Sequence, residues 1–174
     1  MNIVIRNITK DTDVTLHLPM KKVLDEILNA EDEYIIVDHD ETLQVSEYDN
    51  IRELNDFLLS CEENGISKET LALLSSNYSY SEVVNMVKEE NYTIIDFTAE
   101  TAGWNYGNGG DINSDDDKGR VLHSNGMLLF DWEKDVPITK EMEDYIKWEH
   151  LWTMAETLGW EAVNHSNRAY LMHK

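Results

Sequence analysis

Residues 33–55 read EYIIVDHDETLQVSEYDNIRELN. Two periodicities meet in this stretch. Tyr34-Ile35-Ile36-Val37 is a β-branched and aromatic run, the composition of a strand. From about residue 46 the apolar residues fall three and four apart, at Ile51, Leu54, Phe57 and Leu58, which is the stripe of an amphipathic helix. Asn50 with Glu53 three residues on reads as a capping box in which Asn replaces Ser or Thr. A chain that changes period here mixes sheet and helix, so the expected fold class is α+β.

Upstream, Ile3, Ile5 and Ile8, then Val14, Leu16 and Leu18, alternate with polar residues and predict two short strands. Pro19 is expected to open a helix whose stripe is Met20, Val23, Leu24, Ile27 and Leu28. Leu43–Val45 offers a further extended piece. Residues 1–45 thus read as an α/β domain, a short antiparallel sheet plus a helix. Downstream, Gly65 stops the first helix of the middle region. Ser67 can cap a second helix with Leu71, Ala72 and Leu74, and Ser79 with Glu82 forms a capping box for a third. Residues 46–91 read as a small helical domain. Residues 92–174 read as a C-terminal α+β domain. It comprises a strand at Tyr92–Phe97 and a hairpin pairing Val121–Leu122 with Met127–Phe130 around Ser124-Asn125-Gly126. A helix over 139–158 follows, with Met142, Tyr145, Ile146, Trp152 and Ala155 inward and Gly159 at its end. A last strand is expected near Ala169–Met172.

Charge dominates the composition. The chain of 174 residues has 35 Asp and Glu against 14 Lys and Arg, a net charge of −21. Self-repulsion of that size opposes folding. It also excludes nucleic acid and an anionic membrane as direct ligands. A hydrophobic fraction of 41% is nevertheless enough for a packed core. Cys61 is the single cysteine, so no intramolecular disulfide forms, which fits a reducing cytoplasm. No apolar run approaches the length of a membrane span.

The acid is concentrated. Residues 25–63 hold fourteen carboxylates and one base, Arg52. They are Asp25, Glu26, Glu31, Asp32, Glu33, Asp38, Asp40, Glu41, Glu47, Asp49, Glu53, Asp56, Glu62 and Glu63. Such runs are commonly solvated surface. The alternative is functional: carboxylates on a rigid scaffold can imitate duplex phosphates, which carry about one charge per 1.7 Å of axis.

Catalytic and ligand chemistry find little footing. His39 between Asp38 and Asp40 lacks a nucleophile motif, and no cofactor is implied. The stretch GNGGDINSDDDKG, 107–119, places Asp111, Asn113 and Asp115 at the first ligand positions of a calcium loop. Asp116 then stands where the turn glycine belongs and Leu122 where the bidentate Glu belongs. Its glycines do not make a phosphate loop, and Asp115, Asp116 and Asp117 would repel a phosphate. It reads as a solvated loop contributing to the charged surface. Trp148, Trp152 and Trp160 are spaced to suit a core or a subunit contact.

The segments LHLPMKKVLDEI (16–27) and EYIIVDHDETLQVSEYDNIRELN (33–55), with DYIKWEHLWTMAETLG (144–159) and AYLM (169–172) near the end, resemble the ArdA antirestriction proteins. The resemblance implies three small domains in a row, elongated and curved, and a homodimer formed through the third domain, with Trp148 and Trp152 at its contact. It further implies a protein encoded by a mobile element or phage and acting in the bacterial cytoplasm. There its carboxylates, including Asp115–Asp117, would occupy the DNA groove of a type I restriction–modification enzyme. It implies no enzymatic activity, cofactor or metal. Two alternatives remain at this point: an anti-CRISPR inhibitor of an RNA-guided nuclease using the same mimicry, and an acidic adaptor that binds a protein through apolar patches.

Overall fold

The N-terminal alternation produces a hairpin. Strand β1 (Asn2–Asn7) pairs antiparallel with β2 (Thr12–His17), Ile3 opposite Leu16 and Ile5 opposite Val14. Strand β3 (Tyr34–His39) pairs antiparallel with the other edge of β1, with a register shift between Val4 and Ile5. The sheet order is β2-β1-β3. Ile3, Ile5, Leu16 and Ile36 are buried, as the period of two requires. The structure, a computed structural model, describes residues 1–97, 112–127, 142 and 145–174. Helices and two three-stranded antiparallel sheets are present among them, and the fold is α+β.

The helix expected after Pro19 shrinks to α1 (Leu24–Ile27). Ahead of it, the backbone of Met20 is bonded to Asn55 on a later helix. The Met20 N–H donates to Asn55 Oδ1 at 2.7 Å, and Asn55 Nδ2 donates to the Met20 carbonyl at 3.2 Å. Leu43–Val45 is not a strand either. Leu43 is fully buried, and the Gln44 N–H donates to the Ser75 hydroxyl, so tertiary partners replace a ladder.

Three capped helices follow. In α2 (Ile51–Glu63) the Asn50 side chain accepts from the Arg52 and Glu53 N–H groups. In α3 (Lys68–Ser75) the Ser67 hydroxyl accepts from the Thr70 N–H. At the start of α4 (Tyr80–Glu89) the Glu82 carboxylate accepts from both the N–H and the hydroxyl of Ser79. Leu54, Leu74 and Val83 are fully buried, and Phe57 meets Tyr80 edge-on. Burial pushes the Cys61 thiol up to about 11. Because Asn50 satisfies two otherwise orphaned donors, Asn50→Ala should lower first-unit stability by about 1 kcal/mol. A urea titration followed by far-UV circular dichroism checks this.

The chain divides into two compact units, Met1–Glu90 and Asn91–Lys174. The expected boundary at 45/46 falls inside the first of them. In the second unit, β4 (Thr93–Asp96), β6 (Arg168–His173) and β5 (Trp160–His165) form an antiparallel sheet in the order β4-β6-β5. Strand β5 is absent from the sequence expectations. Its signal is Ser166-Asn167, both at positive φ, which is the two-residue turn of a tight hairpin.

The hairpin expected at 121–130 is a helix instead. Helix α5 spans Asp115–Ser124, and residues 128–130 lie outside the described residues. Asn125 caps its C-terminus and Gly126 follows at φ +72°. Asn-Gly supplies one left-handed residue, which serves a helix end as well as a strand turn. The opening of α5 corrects the loop reading of 114–119. Ser114 accepts from the Asp117 N–H, and the three aspartates form the first helical turn, where the macrodipole favours them. Residues 107–111 lie outside the described residues.

Of the helix expected over 139–158, residues 139–141, 143 and 144 lie outside the described residues, and α6 begins at Trp148 and ends at Thr157. Met142 and Tyr145, expected inward, are exposed. The buried face is Trp148, Leu151, Trp152 and Ala155. Ile95, Phe97, Val121, Leu122, Trp152, Ala155, Trp160 and Leu171 form the core of this unit.

Candidate partner-binding surface

A carboxylate serves a partner only if it is not already spent on the fold. Of the fourteen carboxylates in 25–63, eleven are exposed. Asp32, Asp40 and Asp49 are partly buried, and each has a structural task. Asp32 receives Lys10 Nζ at 2.6 Å and Asn7 Nδ2 at 2.9 Å, and these bonds hold its carboxyl below the usual range. Burial works against ionisation of Asp40, but bonds from Thr42 and the Asn2 N–H outweigh it and keep this carboxyl low as well. Asp49 Oδ2 accepts from the Ser46 N–H at 2.7 Å. Asp25 is exposed yet paired with Arg52 at 2.9 Å. Asp38 accepts from the N–H of His39, whose ring contacts the Asp40 carbonyl. That ties one ring nitrogen of His39 to the end of its own strand.

Glu26, Glu31, Glu33, Glu41, Glu47, Asp56, Glu62 and Glu63 remain as exposed carboxylates, as does Glu53, which also accepts from Asn50 Nδ2 at 3.4 Å. They stand on α1, before β3, in the connection from β3 to α2, and along α2. The first unit carries twenty acidic and seven basic residues. Arg6, Lys10 and Arg52 are held at 2.7, 2.6 and 2.9 Å by Asp13, Asp32 and Asp25. The few cations are thus partly consumed locally, and the excess is negative.

In the second unit, Asp115 and Asp116 keep about half of their side-chain surface exposed, but each is paired with a more deeply buried cation. Asp115 pairs with Lys118 at 2.6 Å and Asp116 with Arg120 at 2.7 Å. Lys118 lies 4.6 Å from the Trp152 ring centroid, and Arg120 lies 5.1 Å from that of Trp148. Two acid–cation–indole stacks therefore join α5 to α6. Their i,i+3 and i,i+4 spacing was available in the sequence; the indoles that receive the cations were not. Trp148 and Trp152 are 2% and 1% exposed, inside the unit rather than at its surface. This corrects their expected place at a dimer contact: in this fold their rings are enclosed by their own chain.

Among the described residues no group of three His, Cys, Asp or Glu is placed to hold a metal ion, and no helix is long and apolar enough to cross a membrane. No protein-family model matches the chain, and no curated protein is significantly similar to it.

Unpaired surface charge of one sign opposes folding and is screened by salt. The thermal midpoint should therefore rise by a few degrees between low and moderate sodium chloride. A midpoint that falls with salt would mean that the ion pairs outweigh the repulsion.

Proposed function

We propose that this protein inhibits a DNA-binding bacterial defence enzyme by imitating DNA. The observation that carries the reading is the set of exposed carboxylates, eleven of fourteen in residues 25–63, set on and between a capped helix and a three-stranded sheet. Fixed charge on a rigid support is what a phosphate backbone presents. A groove lined by Lys and Arg would accept either surface. The resemblance to ArdA proteins directs the proposal to type I restriction–modification enzymes. The mechanism is occupancy: carboxylates pair with the groove's cations, and the DNA is excluded without any covalent step. Elongation and pairing through the C-terminal domain belong to the same proposal and are read together by small-angle scattering.

An adaptor that binds through Trp148 and Trp152 is disfavoured, because both rings are buried in their own unit. The decisive experiment is competition. Labelled DNA is bound to a type I methyltransferase core, this protein is added, and salt is raised. Displacement that weakens steeply with salt supports phosphate mimicry. Undisturbed DNA shifts the target to an RNA-guided nuclease, and undisturbed DNA there as well removes the mimicry reading.

A further inference from the structure

One large side chain in the first unit is left almost wholly outside. Tyr48 is 81% exposed, in the turn between β3 and α2. The turn around it is not loose. The Ser46 N–H donates to Asp49 Oδ2 at 2.7 Å, and the Asp49 N–H donates back to the Ser46 carbonyl at 3.1 Å. On one side the Ile36 N–H of β3 donates to the Glu47 carbonyl at 2.9 Å. On the other, Asn50 caps α2. Tyr48 therefore stands on a short bridge tied to a strand at one end and a helix at the other.

Its surroundings are acidic and partly aromatic. Glu47 is exposed on the same turn, and Glu53 is exposed in the first turn of α2. Burial pushes the Tyr80 hydroxyl up to about 12, with Asp49 and Glu53 adding to the effect. The turn, the start of α2 and the start of α4 thus share one neighbourhood.

The tied backbone fixes where the Tyr48 side chain starts, and a tyrosine has only two χ angles to order when it binds. Tyrosine is one of the residues that dominate interface energetics. The face of its ring is electronegative, and the carboxylates around it make the local field more so. That combination selects a cation, and a planar guanidinium stacks on a ring better than an ammonium does. It repels an anion, and it offers too little apolar area to seat a hydrophobic helix.

We propose that Tyr48 is the anchor of the partner interface, its ring receiving a guanidinium from an arginine-bearing protein groove while Glu47 and Glu53 hold flanking cations. The inference rests on the mimicry reading and adds a specificity-determining residue that charge density alone does not name.

The test uses the full chain and two short peptides of equal length, one of arginine only and one of lysine only. Affinity and the Tyr48 ring resonances are followed by NMR. For the arginine peptide, Tyr48→Ala should bind about fivefold more weakly, and Tyr48→Phe should stay within about twofold of the parent. The lysine peptide should distinguish the variants less. The ring resonances should move on titration, and the unchanged thermal midpoint of Tyr48→Ala should show the fold intact. Any one of four results overturns the inference: a Tyr48→Ala affinity equal to the parent's, a Tyr48→Phe loss equal to that of alanine, a ring that does not shift, or a parent that binds neither peptide. Mimicry fails separately, in the DNA competition, so the two failures are distinguishable.

Discussion

Gly119→Ala should destabilise the second unit by about 3 kcal/mol, although alanine is the better helix former. A β-carbon at Gly119 would lie 2.1 Å from the Trp148 carbonyl oxygen, 2.8 Å from its carbon and 3.3 Å from its Cα. These are backbone atoms at the start of α6, and they cannot rotate aside as a flexible side chain could. Relief requires α5 and α6 to separate, which would pull Lys118 and Arg120 off the indoles they cover. On an open helix surface the same change would gain about 1 kcal/mol, so the sign of the effect reports the helix contact. All five tryptophans lie in residues 91–174. Tryptophan fluorescence in a denaturant titration therefore follows this unit alone. An unchanged or raised midpoint would mean that the two helices are not in this contact.

Replacing six exposed glutamates together, Glu31, Glu33, Glu41, Glu47, Glu62 and Glu63, with glutamine should weaken displacement of DNA from the target enzyme by about a hundredfold. At roughly half a kcal/mol for each exposed pairing, six losses reach about 3 kcal/mol, which is a factor of that size. The salt dependence of inhibition should become shallower in the same variant. Stability should move the other way, because the substitutions relieve repulsion. Asp32→Asn is the contrasting control. It removes the ion pair to Lys10 and so lowers stability while taking away a carboxylate whose side chain is only 6% exposed. A six-site variant that inhibits as well as its parent would sink the mimicry reading for any target.

Much of the first unit was legible from local signals. Strands β1 and β2 follow from alternation, β3 from its β-branched and aromatic run, and α2, α3 and α4 from Asn50, Ser67 and Ser79 at their caps. In each case the signal and its physical partner lie within a few residues, so no distant contact is needed to read it. Helix α1 is shorter than its apolar stripe, and the backbone of Met20 ahead of it is bonded to Asn55, far along the chain. Helix α5 carries a local signal that competes with another. Ser114 followed by three aspartates is a helix start, whereas Asn125-Gly126 suits a hairpin turn as well as a helix end. The acidic residues were named by density, which cannot separate Glu41, exposed, from Asp40, bonded to Asn2 and Thr42.

Sequence alone determined the α+β class, the charge excess and the capped helices, because composition is additive and caps act over one helical turn. The tertiary structure decided which carboxylates are free of the fold. It enclosed Trp148 and Trp152 and left Tyr48 outside. It also brought Gly119 against the backbone of Trp148. Those outcomes depend on which distant surfaces meet, and burial is a property of the meeting rather than of either residue.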